Sequence, residues 1–140
     1  MKIDATLPPL PLAQVPALAK AAEATGFDAL WSSETQHDPF LSLALAAEHT
    51  SRLQLGTAVA IAFGRSPATV AYTAWDLAQL TGGRFILGLG TQVQAHIERR
   101  FGMPWPQSPA GKLREFVNAL RAFWRTWQEG EPLEVRGEYY

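Results

Sequence analysis

Residues 53–90, LQLGTAVAIAFGRSPATVAYTAWDLAQLTGGRFILGLG, decide the fold. The apolar run 53–62 predicts a strand. Ser66-Pro67 then supplies an N-cap acceptor and a proline at the first helical position, so a helix is predicted to about Leu80. A pair of glycines ends that helix, and the apolar run 84–90 predicts the next strand. A unit of this kind is typical of a parallel sheet covered by helices.

The same rhythm extends towards both ends of the chain. Further strands are predicted at 3–7 and 27–32, and further helices at 12–25, 40–50, 94–100 and 110–129, with extended chain at 133–140. The strand starts lie about 25 to 30 residues apart, which is the spacing of βα units. Gly26 is the expected end of the first helix, and Asp38-Pro39 is the expected start of the second.

Two architectures fit this rhythm. One is a small open doubly wound sheet of about four strands, and the other is the first half of a (β/α)8 barrel, which needs about 250 residues in all. The length of 140 residues favours the open sheet. The barrel is favoured because no Gly-rich dinucleotide loop follows the first strand and because the sequence stops inside the extended segment 133–140.

Composition excludes several classes of function. With 12 Lys and Arg against 13 Asp and Glu, the net charge of -1 argues against a nucleic-acid binder. The chain has no cysteine, so disulfides and thiolate metal sites are excluded, and we expect no metal site. No signal peptide or transmembrane segment is expected, and the predicted location is cytoplasmic.

Polar residues that follow the predicted strands are the candidates for chemistry, because ligands of both architectures bind at the carboxyl ends of the strands. Glu34 is a candidate general base or hydrogen-bond acceptor, or else a solvated loop acid. His37 is a weak candidate for proton transfer, or else a solvated loop side chain. Asp38 is interpreted as the N-cap of the second helix.

Glycines mark two further positions. In residues 56–60 (GTAVA), small residues inside a strand indicate either a bulge approached by a ligand or simple packing beneath a helix. In residues 88–91 (GLGT), the pattern G-x-G indicates either a phosphate-binding loop or close packing at the end of a strand. The third glycine of a phosphate loop is missing, which favours packing for residues 88–91.

An ordered set of motifs resembles one known family. The motifs are W-x-x-E at 31–34, L-G-T-x-V at 55–59, S-P-x-x-x-A at 66–71 and G-R-F-x-L-G-L-G-T at 83–91. Together with REFVNALRAFW and GEYY further on, they resemble the luciferase-like monooxygenase superfamily, and most of all its branch that depends on coenzyme F420. The resemblance covers essentially the whole chain but only the N-terminal part of the family's barrel.

The resemblance implies an α/β fold, the N-terminal half of a (β/α)8 TIM barrel with about four parallel strands and covering helices. Residues 1–140 would form one partial barrel domain whose C-terminal half is absent. It also implies a bound deazaflavin, F420, with FMN as the alternative. A bulge in the third strand, often with a non-prolyl cis peptide, would back the ring of the cofactor. The implied cofactor-binding residues are Glu34, Thr57, Ala58, Val59, Ala60 and Thr91.

The implied function is hydride transfer between F420 and a small organic substrate, by a chain that we expect to be inactive alone. Thr35 and Val93 stand where some deazaflavin dehydrogenases carry His and Glu, so we assign no sugar-phosphate substrate. The alternatives are an FMN-dependent monooxygenase, a non-catalytic half-barrel that acts as an oligomer or partner module, and a small α/β binding domain. Exposed barrel edges would favour a homodimer, and neither nucleic acid nor membrane is an expected partner.

Overall fold

A computed structural model describes all 140 residues, Met1–Tyr140. The strands are β1 (Asp4–Thr6), β2 (Ala29–Ser32), β3 (Gln54–Thr57), β4 (Ala60–Ile61), β5 (Phe85–Ile86) and β6 (Leu89–Gly90). The helices are α1 (Val15–Thr25), α2 (Pro39–Glu48), α3 (Pro67–Leu80), α4 (Gln94–Phe101) and α5 (Pro109–Glu129), with 3₁₀ turns at Leu12–Gln14 and Ala62–Gly64. No helix is both long enough and apolar enough to cross a membrane.

Four strands form one parallel sheet in the order β1-β2-β3-β5. The register places Leu30 of β2 beside Leu55 of β3, and Leu55 beside Phe85 of β5. A separate two-stranded sheet joins β4 and β6. The alternation of parallel strands and helices confirms the predicted α/β fold.

The residues that were predicted to begin and end the helices do so in the structure. The Asp38 carboxylate accepts hydrogen bonds from the N–H groups of Phe40 at 2.8 Å and Leu41 at 3.3 Å, so it is the N-cap of α2. The Ser66 hydroxyl accepts from the Thr69 N–H at 3.2 Å in the first turn of α3. Helix α1 ends at Gly26, whose φ of 95° belongs to the left-handed region that suits glycine.

The chain divides into two compact units, of which the first comprises residues 1–60 and 74–89. Its core lies between the sheet and the helices α1 and α2. Apolar residues of both helices and of the central strands are buried there, including Val15, Ala19, Leu30, Leu43 and Leu55. Burying such side chains contributes about 1.5–3 kcal/mol each for the larger ones.

A carboxylate ties α1 to the start of β3 in this first unit. Glu23 accepts hydrogen bonds from the backbone N–H groups of Ser51 at 3.0 Å, Arg52 at 2.6 Å and Leu53 at 2.8 Å. Burial acts to raise the pKa of Glu23, but these N–H groups and the Arg52 charge outweigh it and lower the pKa below its usual range. The ionised carboxylate therefore stabilises this junction.

A guanidinium group holds the same end of the sheet. Arg84, just before β5, donates to the carbonyl of Leu53 at 2.6 Å and to the carbonyl of Thr50 at 3.0 Å. The Arg of the G-R-F motif is thus a structural residue that joins β5 to the loop before β3.

The second unit comprises residues 61–73 and 90–140. Helix α5 buries Phe116 and Leu120, whereas the aromatic residues nearer its end are half-buried. Among these, Trp127 stacks on Tyr72 with ring centroids 5.1 Å apart, and the Trp124 indole donates to the Ala71 carbonyl at 3.2 Å. The apolar face of α5 is therefore core at some positions and an aromatic surface cluster at others.

A lysine is buried on α5 in this unit, which its charge did not lead us to expect. Lys112 is only 8% exposed, and its ammonium lies 5.0 Å from the centre of the Phe63 ring and 5.7 Å from that of Tyr140. Burial lowers the pKa of Lys112. Burial and the nearby Glu115 carboxylate raise the pKa of Tyr140 to about 12.

Three predicted segments differ from the structure. The predicted strands at 53–62 and 84–90 are each interrupted, at Ala58–Val59 and at Leu87–Gly88. The tail 133–140 was predicted to be extended, but it forms no strand. Its N–H groups at Glu138 and Tyr139 donate instead to the Glu115 carboxylate at 3.2 and 2.8 Å.

Replacing Glu23 by glutamine is expected to lower the free energy of unfolding at neutral pH by about 1 kcal/mol, because a charged acceptor of three N–H groups is lost at a partly exposed site. The carboxylate contributes its stability above the usual pKa of 4.5 and loses it as the pH falls through the lower folded-state pKa. Urea unfolding at neutral pH and at about pH 3 measures this difference.

The matched control for this substitution is Glu48→Gln at the end of α2, since Glu48 is also an exposed helical glutamate. It is expected to leave the stability unchanged. An equal loss in both variants would show that the Glu23 hydrogen bonds contribute nothing specific.

Candidate cofactor site

The interruption between β3 and β4 forms an exposed step at the carboxyl end of the sheet. The peptide bond between Ala58 and Val59 is cis, which is what the resemblance implied at this position. Both residues are exposed, and the Val59 side chain is 42% accessible. Thr57 and Ala60 on either side are buried, so Ala58 and Val59 alone make up the surface of the step.

Groups from β2 hold the backbone of this step in place. The Ala58 N–H donates to the Ser32 carbonyl at 2.8 Å, and the Ser33 hydroxyl donates to the Ala58 carbonyl at 2.8 Å. The position of Ala58 is therefore fixed through both its N–H and its C=O.

The Thr57 hydroxyl holds the step from the other side. It accepts a hydrogen bond from the Gly88 N–H at 2.9 Å and donates to the Gly88 carbonyl at 2.7 Å. The same carbonyl accepts from the Ala60 N–H at 2.9 Å. A Cβ atom at Gly88 would lie 2.1 Å from the Thr57 carbonyl oxygen, so only glycine permits this close approach.

The glycines of the two patterns, Gly56 and Gly88, each make room for a neighbouring group. Gly88 makes room for the Thr57 backbone, which agrees with the close-packing interpretation of residues 88–91. Gly56 makes room for the Trp31 ring, since a Cβ there would lie 2.3 Å from an atom of that ring.

The remaining candidates lie in loops at the carboxyl ends of the strands. Glu34 lies two residues after the end of β2 and is half-buried, whereas His37 is exposed three residues further along. Thr91 follows β6 in the second unit, where its hydroxyl donates to the Gln92 carbonyl at 2.9 Å. No group of three or more His, Asp or Glu side chains comes together to form a metal site.

The supporting residues Ser33 and Gly88 were not singled out from the sequence as parts of this site. Ser33 lies within W-x-x-E, and Gly88 within G-R-F-x-L-G-L-G-T, so both motifs contained the signal. The motifs did not indicate that each residue contacts the chain at the step between β3 and β4.

The fold and this site define the class as the N-terminal half of a (β/α)8 barrel, as comparison with solved barrel structures shows. A coenzyme F420-dependent tetrahydromethanopterin reductase from Methanopyrus kandleri matches 99% of this chain and 43% of its own, with 27% identity and a TM-score of 0.80. A type II Baeyer–Villiger monooxygenase from Pseudomonas putida in complex with FMN matches 100% of this chain and 43% of its own, with 20% identity and a TM-score of 0.84.

The chain belongs to the luciferase-like monooxygenase family, whose family model matches residues 2–140. An uncharacterized protein of Mycobacterium tuberculosis is 54% identical over the whole chain, which corresponds to 41% of that relative. A putative coenzyme F420-dependent oxidoreductase of the same species is 34% identical over 88% of this chain and 35% of its own length. An F420-dependent glucose-6-phosphate dehydrogenase from Mycobacterium avium is 36% identical over 88% of this chain and 40% of its own. The chain thus spans about two fifths of its curated relatives.

Thr57→Val keeps the shape of the side chain but removes the hydroxyl that bridges both backbone groups of Gly88. We expect the free energy of unfolding to fall by about 1–3 kcal/mol, because the Gly88 N–H is left without a partner. Thr57→Ser keeps the hydroxyl and is the matched control, with an expected loss of less than half as much. Urea unfolding of the three proteins makes the comparison, and equal losses in both variants would assign the effect to packing.

Proposed function

We propose that the protein carrying this chain is an oxidoreductase that transfers a hydride between the deazaflavin F420 and a small organic substrate. The observation that carries the proposal is the cofactor that its relatives are named for. The curated relatives at 34% and 36% identity are F420-dependent by name, and so is the reductase with 27% identity and a similar fold. The proposal concerns the whole protein, since this chain corresponds to about two fifths of such enzymes.

The step at Ala58–Val59, between β3 and β4, fits a flat, largely apolar ring. Ala58 and Val59 present small apolar side chains on an exposed surface, and the backbone beneath them is held by Ser33 and Ser32. A rigid apolar support of this kind favours a planar ligand, because burial of apolar area is favourable and little conformational entropy is lost on binding.

When bound, the deazaflavin supplies the carbon that carries the hydride, and the protein supplies binding, orientation and exclusion of water. Ala58 and Val59 contribute the apolar surface that backs the ring. Glu34, half-buried after β2, accepts a hydrogen bond from a ligand N–H or hydroxyl in this proposal. In this proposal Thr91 faces the side chain of the cofactor. His37 is a weak candidate for proton exchange.

The second candidate is an FMN-dependent monooxygenase of the same fold. The description of the family favours it, as does the monooxygenase RslO1 from Streptomyces bottropensis, which is 25% identical with a TM-score of 0.84 over 100% of this chain. The two candidate functions share the step at Ala58–Val59 and differ in the cofactor that it supports.

Titration of the full-length protein with oxidised F420 and, separately, with FMN distinguishes the two candidates. Deazaflavin fluorescence and flavin fluorescence are the readouts. We expect F420 to bind with a dissociation constant at least about tenfold lower than that of FMN, a difference of about 1.4 kcal/mol. Tight FMN binding without F420 binding would overturn the deazaflavin assignment. Binding of neither cofactor to the full-length protein would overturn the proposal of an oxidoreductase.

Val59→Asp places a charge on the apolar support and is expected to weaken cofactor binding by about tenfold or more, because the carboxylate would have to be desolvated against the ring. Leu80→Asp is the matched control, since Leu80 is a similarly exposed apolar residue at the end of α3. Thermal unfolding of both variants establishes that they are folded. Equal cofactor affinities in the two variants would remove Val59 from the site.

A further inference from the structure

Residues 137–140, GEYY, form a short strap that lies against the first turns of α5 within the second unit. The strap belongs to no helix or strand. No backbone N–H or carbonyl group from 131 to 140 is hydrogen-bonded to another backbone group. Side chains therefore hold the strap on the helix.

The Glu115 carboxylate on α5 is the main attachment of the strap. Its two oxygens accept hydrogen bonds from the N–H groups of Glu138 at 3.2 Å and Tyr139 at 2.8 Å. Donation from Tyr139, with that from Glu138 and Tyr140 and the nearby Arg114 charge, outweighs desolvation and lowers the pKa of Glu115. The carboxylate is therefore ionised at neutral pH, and hydrogen bonds to a charged acceptor are stronger than those to a neutral one.

A glycine permits the strap to approach this carboxylate closely. A Cβ atom at Gly137 would overlap the Glu115 carboxylate. The carboxylate could give way to a larger residue only by leaving the N–H groups that it accepts. The glycine and the glutamate are thus two independent requirements for the same contact.

The two tyrosines of the strap contact α5 on either side of Glu115. The Tyr139 hydroxyl accepts a hydrogen bond from the N–H of Ser108, the N-cap of α5, at 3.2 Å. The Tyr140 ring packs edge-on against the buried Phe116 ring, with the centroids 5.6 Å apart.

Tyr140 also covers the buried Lys112. The Lys112 ammonium lies between the Tyr140 ring, at 5.7 Å, and the ring of Phe63 in the 3₁₀ turn after β4, at 5.0 Å. Ring faces attract an ammonium at such distances. The side chain of Lys112 is nevertheless only 8% exposed, so the amine has lost most of its hydration.

Two effects of similar kind therefore oppose each other at the strap. Closure gives the strap N–H groups a charged acceptor in Glu115, whereas opening returns water to the Lys112 ammonium. A segment that is held by a few side-chain contacts opens locally without unfolding of the rest of the molecule. This balance makes the strap a movable part.

We infer that residues 137–140 are a strap that opens and closes over Lys112, and that the hydrogen bonds to Glu115 hold it closed. In the closed state Tyr140 shields the amine. In the open state the amine and the ring of Phe63 are accessible to solutes. The inference rests on these contacts alone and does not depend on the proposed function.

The reaction rate of Lys112 with an acetylating N-hydroxysuccinimide ester tests the inference. The full-length protein is treated for a series of times and the modified lysines are located by peptide mass spectrometry. Lys20, exposed on α1, is the internal reference for the reagent. We expect Lys112 to react at least about tenfold more slowly than Lys20, because the closed strap is the more populated state. Equal rates for the two lysines would overturn the inference.

Glu115→Gln and Gly137→Ala open the strap from its two sides. Each is expected to raise the rate for Lys112, relative to Lys20, by about fivefold or more, because a charged acceptor is lost or pushed away from its donors. Glu129→Gln, at an exposed glutamate on the same helix, is the matched control and is expected to leave the ratio unchanged. An unchanged ratio in both strap variants would overturn the inference.

Amide hydrogen exchange separates opening of the strap from unfolding of the second unit. In both strap variants the amides of Glu138 and Tyr139 are expected to exchange faster, whereas the amide of Leu120, buried in the middle of α5, keeps its protection. Equal acceleration at Leu120 would overturn the inference, since Lys112 would then become accessible through unfolding of the helix.

Discussion

The hydrogen bonds of the Thr57 hydroxyl with both backbone groups of Gly88 are the contact on which the carboxyl end of the sheet depends. Strands β3 and β5 pair regularly up to Gly56 and Ile86. Beyond these residues the chain leaves the sheet on both sides, at Ala58–Val59 and at Leu87–Gly88. Beyond that point the hydroxyl supplies the donor and the acceptor that a regular ladder would have supplied. The strands thereby stay together while Ala58 and Val59 are left exposed.

The two ends of the sheet have different tasks. At the amino end, Glu23 and Arg84 hydrogen-bond to the backbone around residues 50–53 and have a structural role. At the carboxyl end, the step at Ala58–Val59 presents a small apolar surface whose backbone is held by Ser33 and Ser32. This division agrees with the general rule that parallel α/β folds bind ligands at the carboxyl ends of their strands.

Local signals in the sequence predicted the helices well, because Asp38, Ser66 and Gly26 act through contacts within a few residues. The interruptions of the strands could not be predicted from hydropathy, since the run 53–62 is apolar throughout and its pairing depends on residues some thirty positions away. The position of the step came from the resemblance to a family. The burial of Lys112 had no local signal either, because it depends on rings that the fold brings to it.

The buried position of Lys112 also decides how the protein can be labelled. The chain has three lysines, and the other two, Lys2 and Lys20, are exposed. Both lie in the first unit, whereas Lys112 is enclosed by Phe63 and Tyr140 in the second. Amine-directed dyes, cross-linkers and surface coupling will therefore react with the first unit and leave the second unmodified, so that labelling through amines is selective for one part of the molecule.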